Sequence, residues 1–88
     1  MMQAQYSEVS IENVQVQHDG VAALVHLIQR GVFMIAVSSS KGDLVHKRFV
    51  QLETGVNNLK LPIGMLSKGN YMLTLLKGDR TIKKTFSC

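Results

Sequence analysis

Apolar residues recur along this chain at two-residue spacing, in short runs closed by glycine, and the pattern predicts strands. In SEVSIENVQVQ, Val9 and Ile11 alternate with polar neighbours, as do Val14 and Val16. The phase slips at Glu12-Asn13, which predicts a bulge or kink in a first strand. His18-Asp19-Gly20 follows as a turn. VAALVHLIQ fits two periods: Val21, Leu24, Val25 and Ile28 have helical spacing, while Val21, Ala23, Val25 and Leu27 alternate. Its short length and the turn signals at both ends favour a strand.

GVFMIAVSSS is β-branched and nearly continuous in apolar residues, as expected of a central third strand. LVHKRFVQL is a fourth. In TGVNNLKLPI, Leu59 and Leu61 share one face with Asn58 and Lys60 on the other, and Pro62 confines this strand to an edge or ends it. GMLSKG is a loop, and NYMLTLL with RTIKKTFSC forms a last hairpin. The sum is about seven strands and no helix, punctuated by glycines. Their natural closure is an all-β, immunoglobulin-like (fibronectin III-like) antiparallel sandwich.

Lys-Gly-Asp occurs twice, at 41–43 and 77–79. Both copies are expected at hairpin tips, because Gly accepts positive φ and Asp can bond its own backbone. After the first, Val45 and Phe49 share a face; after the second, Ile82 and Phe86 do. Both pairs are expected in the core, with Lys47 and Lys84 between them, near an open end of the sandwich or reaching past its rim.

Composition narrows the picture. The 88 residues make one domain, 1–88, of a size that buries about 60–65% of its unfolded surface. Hydrophobic residues at 45% and charged residues at 18% are ordinary for a globular chain. The single cysteine, Cys88, permits no intramolecular disulfide. MMQAQYSEV lacks the basic and apolar regions of a signal peptide. The most apolar window, 21–37, is interrupted by His26, Gln29, Arg30 and Gly31, so membrane insertion is not expected.

Catalytic chemistry is not legible. His18, His26 and His46 have no metal-type spacing, and His26 is expected at the core or its rim. Ser38-Ser39-Ser40 looks like a strand end. Glu8, Glu12, Asp19, Asp43, Glu53 and Asp79 fall mainly at turns or on polar faces, and no phosphate-binding or dinucleotide fingerprint occurs. No catalytic residue, metal ligand or cofactor is expected, and the chain does not read as an enzyme. The net charge is +4, with Lys77, Arg80, Lys83 and Lys84 crowded near the end. Such residues suit a solvated strand face or an acidic partner. Nucleic acid is not expected, because Tyr6, Tyr71, Phe33, Phe49 and Phe86 are the only aromatics and the phenylalanines fall mostly at core-type positions.

From Gly31 onward the order of features is more specific. A turn at Gly42-Asp43 is followed by Gly55-Val56-Asn57, then Leu66-Ser67-Lys68-Gly69-Asn70-Tyr71, then Gly78 and the paired Lys83-Lys84. In this order the chain resembles the C-terminal sorting domain of the type IX secretion system of Bacteroidetes, and related small immunoglobulin-like domains of that phylum. The resemblance implies a non-catalytic sorting or anchoring domain, carried at the end of a larger secreted protein and recognised at the outer membrane. It points to Gly69, Tyr71, Lys77, Gly78, Arg80, Lys83 and Lys84 as motif or partner-binding residues. The last hairpin would dock on a protein partner in the outer-membrane translocation machinery. Lys84 belongs to the paired lysines but alternates with the apolar face, so the pattern leaves its exposure open. The location would be the periplasm, the cell surface or the medium within a larger signal-peptide-bearing protein, and the cytoplasm otherwise. The alternative is a free-standing immunoglobulin-like interaction module of unknown partner, homo-oligomeric through an edge strand.

Overall fold

The computed structural model describes residues 9–88, so Tyr6, Ser7 and Glu8 lie outside it. Among the described residues, strands β1 (Val9–Gln17), β2 (Gly20–Leu27), β3 (Gly31–Ser39), β4 (Leu44–Leu52), β5 (Gly55–Leu61), β6 (Asn70–Lys77) and β7 (Arg80–Ser87) follow one another without a helix. They form two antiparallel sheets, ordered β1-β2-β5 and β4-β3-β6-β7. This is the immunoglobulin-like sandwich that the strand pattern predicts, with three strands facing four.

Several local expectations hold. The register of β1 on β2 shifts between Glu12 and Gln15, and Asn13 in that gap has a φ of 52°. β3 lies inside its sheet, and β5 is an edge strand that ends just before Pro62. One apolar cluster fills the space between the sheets. Val21, Ala23, Val25, Leu27, Leu59 and Leu61 line it on one side, with Phe33, Ile35, Val37, Leu73 and Leu75 on the other. Each fully buried aliphatic side chain contributes about 1.5–3 kcal/mol relative to exposure, so β2, β3 and β6 carry most of the stabilisation.

The two Lys-Gly-Asp copies both sit at hairpin tips but form different turns. In the second, Lys77 pairs with Arg80 across Gly78-Asp79. Gly78 has a φ of 61°, the first-position glycine of a type II′ turn. In the first, the longer tip is knotted by Ser39. Its hydroxyl accepts from the Lys41 and Asp43 amides at 3.3 and 3.2 Å, and its own amide donates to the Asp43 carbonyl at 2.9 Å.

This first tip corrects one expectation. Val37 pairs with His46 and Ser38 with Leu44, which leaves Val45 as an inserted residue. The residues of β4 opposite inward-facing Phe33, Ile35 and Val37 are Val50, Arg48 and His46. Val45 and Phe49 are therefore not a core pair: they are 41% and 70% exposed. Lys47 stands with Phe49 on the outer face instead of beside the core. A period of two lets only one set of β4 point inward, and buried Leu52 fixes which set does. The second pair behaves as expected. Ile82 lies opposite Leu75 and Phe86 opposite Tyr71, both half-buried against the core. His26 is also corrected: it is exposed on the outer face of the three-stranded sheet, opposite Ser10 and Val56.

Candidate interaction surface

The residues that carry the family-like motifs hold the fold together. In Gly55-Val56-Asn57, the Asn57 side chain closes the turn between β4 and β5. Its Oδ1 accepts from the Glu53 amide at 2.9 Å, and its Nδ2 donates to the Glu53 carbonyl at 2.8 Å and the Val25 carbonyl at 3.3 Å. One amide thus satisfies both backbone groups of Glu53 and ties the turn to β2.

Leu66-Ser67-Lys68-Gly69-Asn70-Tyr71 is a second such device. Tyr71 is only 8% exposed; its hydroxyl donates to the Ser67 carbonyl at 2.7 Å, and its ring stacks on Phe86 at 5.7 Å. A tyrosine bonded back to the chain just before its strand is a recurrent corner of immunoglobulin-like sandwiches. Leu66 is buried beneath the same loop. The chain end straps this corner down, since the Cys88 amide donates to the Gly69 carbonyl at 2.9 Å and its thiol donates to the Leu66 carbonyl at 3.3 Å. Tyr71→Phe keeps the stacked ring and deletes one hydrogen bond, so it is expected to cost about 1 kcal/mol. Thermal unfolding should show the midpoint falling by roughly 4–8 °C.

The four basic residues near the chain end are all exposed but do not form one cluster. Lys77 and Arg80 face each other at the hairpin tip, with the Lys77 ammonium 5.5 Å from the centroid of the Phe33 ring. Lys83 lies opposite Thr74 on the outer face of the four-stranded sheet. Lys84 lies opposite inward-facing Leu73 on edge strand β7, where it remains exposed. Gly78 shapes the tip and Gly69, with a φ of 148°, the corner.

A surface not anticipated from the sequence is the outer face of the four-stranded sheet. Phe49, Met34 and Leu76 form one cross-strand row, and Lys47, Ala36, Thr74 and Lys83 form the next. Val32 beside them is 59% exposed. The signal was present in Met34, Phe49 and Leu76, but it becomes visible only once the register assigns all three to the same side. Among the described residues no group of three or more His, Cys, Asp or Glu side chains could hold a metal ion.

A family model described as the secretion system C-terminal sorting domain matches residues 10–87, the whole span from the first strand to the last. No curated protein matches the chain.

Proposed function

The chain belongs to the family of secretion system C-terminal sorting domains, and from that membership we propose that it works by non-catalytic surface recognition within type IX secretion. The hairpin β6–β7 is the docking element. Lys77 and Arg80 at its tip and Lys83 on its outer face present positive charge to a component of the outer-membrane translocation machinery, with Lys84 at the edge beside them. Gly69, Gly78 and Tyr71 serve by holding the hairpin and the corner before it in shape. The domain would accompany a larger cargo to the cell surface or medium. The observation that carries this reading is the family match across all of the sandwich.

The test is export of a fusion. Residues 1–88 are joined to the C-terminal end of a fluorescent protein bearing a signal peptide, in a cell with a working type IX system. The whole chain is needed because β5 pairs with β2, and a piece beginning at Gly31 would leave β5 unpaired. Fluorescence is expected at the surface or in the medium. Retention in the periplasm, while a known sorting tail is exported in parallel, would reject sorting and favour a free-standing interaction module.

A further inference from the structure

The two outer faces of the sandwich differ in character. On the three-stranded sheet, the cross-strand rows Ser10-His26-Val56, Glu12-Leu24-Asn58 and Gln15-Ala22-Lys60 each hold one apolar residue between or beside polar ones, so that even exposed Val56 has polar neighbours in its row. On the four-stranded sheet, Phe49, Met34 and Leu76 run across three strands; Met34 and Leu76 are half-buried, and Phe49 and neighbouring Val32 are exposed. A contiguous apolar row with exposed members on one side of a small sheet marks an interaction site.

The charge around this row has a single sign. Lys47 on β4 and Lys83 on β7 occupy the two edges of the neighbouring row, which runs through Ala36 and Thr74. The sequences of β3, β4, β6 and β7 contain no Asp or Glu. The nearest carboxylates in sequence, Asp43, Glu53 and Asp79, lie in the turns. An apolar row with cations along one side selects its complement: a protein surface with an apolar strip and carboxylates beside it.

A second copy of this chain fits poorly. Around any two-fold axis the face meets itself, and the charged side chains that each copy offers there are lysines. Like charges brought together in an interface oppose association.

We propose that the outer face of β4-β3-β6-β7, centred on Phe49, Met34 and Leu76 with Lys47 and Lys83 at its edges, docks an acidic-rimmed apolar protein surface. This rests on the sorting reading and deepens it: the hairpin supplies half of the docking sheet, and β3 and β4 supply the other half. Specificity comes from the lysine pair and holding strength from the apolar row.

Two variants test the face, Phe49→Ser and the double reversal Lys47→Glu/Lys83→Glu. The double reversal Lys41→Glu/Lys68→Glu, in exposed loops, is the charge-matched control. Each is measured in the export fusion, in binding of the 88-residue chain to outer-membrane vesicles from type IX-competent cells, and in thermal unfolding. Both face variants are expected to melt like the parent and to lose about tenfold or more in vesicle affinity and in export, with the control unchanged. If the parent is exported and the face variants follow it undiminished, the face is wrong and sorting stands. If the parent stays in the periplasm, sorting is wrong; vesicle binding then decides the face alone, and equal binding of parent and face variants rejects it. Binding to protein-free vesicles of the extracted lipids as strong as to the native ones would make the occupant a lipid surface and overturn the proposal. So would a dimer in sedimentation equilibrium that Phe49→Ser dissociates and the lysine reversal leaves intact.

Discussion

Gly20→Ala is expected to destabilise the protein by about 3–5 kcal/mol. Gly20 opens β2, is buried, and has a φ of 153°. A methyl group there would overlap the Leu61 carbonyl oxygen and reach the Ile63 amide nitrogen at 3.0 Å. Neither atom yields easily. Leu61 accepts a hydrogen bond from Ile63 at 2.9 Å, and Gly64 donates to the Asp19 carbonyl at 3.0 Å, so the first hairpin turn is clasped to the segment after β5. Relief requires moving backbone, which would part β2 from the end of β5. A chain of 88 residues has a total stability of about 4–13 kcal/mol, so the loss is a large share of it. Gly42→Ala isolates the backbone component: its φ is 90° and no heavy atom lies within 4 Å of the added carbon, so it should cost only about 1–2 kcal/mol. Urea unfolding with an unchanged slope compares the two. Equal costs would mean that the clasp around Gly20 is soft.

The strands were legible because their signals are local. Alternation and flanking turns located LVHKRFVQL at the bounds of β4, Pro62 marked the end of β5, and the slip at Glu12-Asn13 announced the irregularity in β1. The inward face of β4 was not legible. Its two alternating sets, Val45 with Phe49 and Val50 with Leu52, are equally apolar to the eye, and the inserted Val45 beside the Ser39 knot belongs to tertiary structure. The same step concealed the candidate docking face, since Phe49, Met34 and Leu76 are widely separated in sequence and meet only through β-pairing. His26 was hard to place for a related reason. An apolar strand with one polar residue reads as a core strand, whereas the parity of Val21, Ala23, Val25 and Leu27 sends His26 outward.

Asn57→Ala is expected to cost about 2–3 kcal/mol, since it removes several hydrogen bonds from a part-buried turn at once. The turn between β4 and β5 would lose partners for the Glu53 amide and carbonyl, and β2 would lose the bond at the Val25 carbonyl. Asn57→Asp separates the two halves of the network. A carboxylate can still accept from the Glu53 amide, but it cannot donate to the Glu53 or Val25 carbonyls; its two acceptor oxygens would stand against carbonyl oxygens and keep most of the cost. Denaturant titration should therefore rank parent, then Asp, then Ala, with Asp much nearer to Ala. If Asp equals the parent, the donated bonds contribute little and the turn is held by its backbone alone. The ranking also bears on sorting. Because Asn57 points into the turn, loss of export in Asn57→Ala should follow loss of folded protein and recover on cooling the cells toward the temperature of maximum stability. Loss of export in Phe49→Ser, whose ring is exposed and adds little to the core, should persist at every temperature. That contrast separates residues that hold the sandwich from residues that meet the partner.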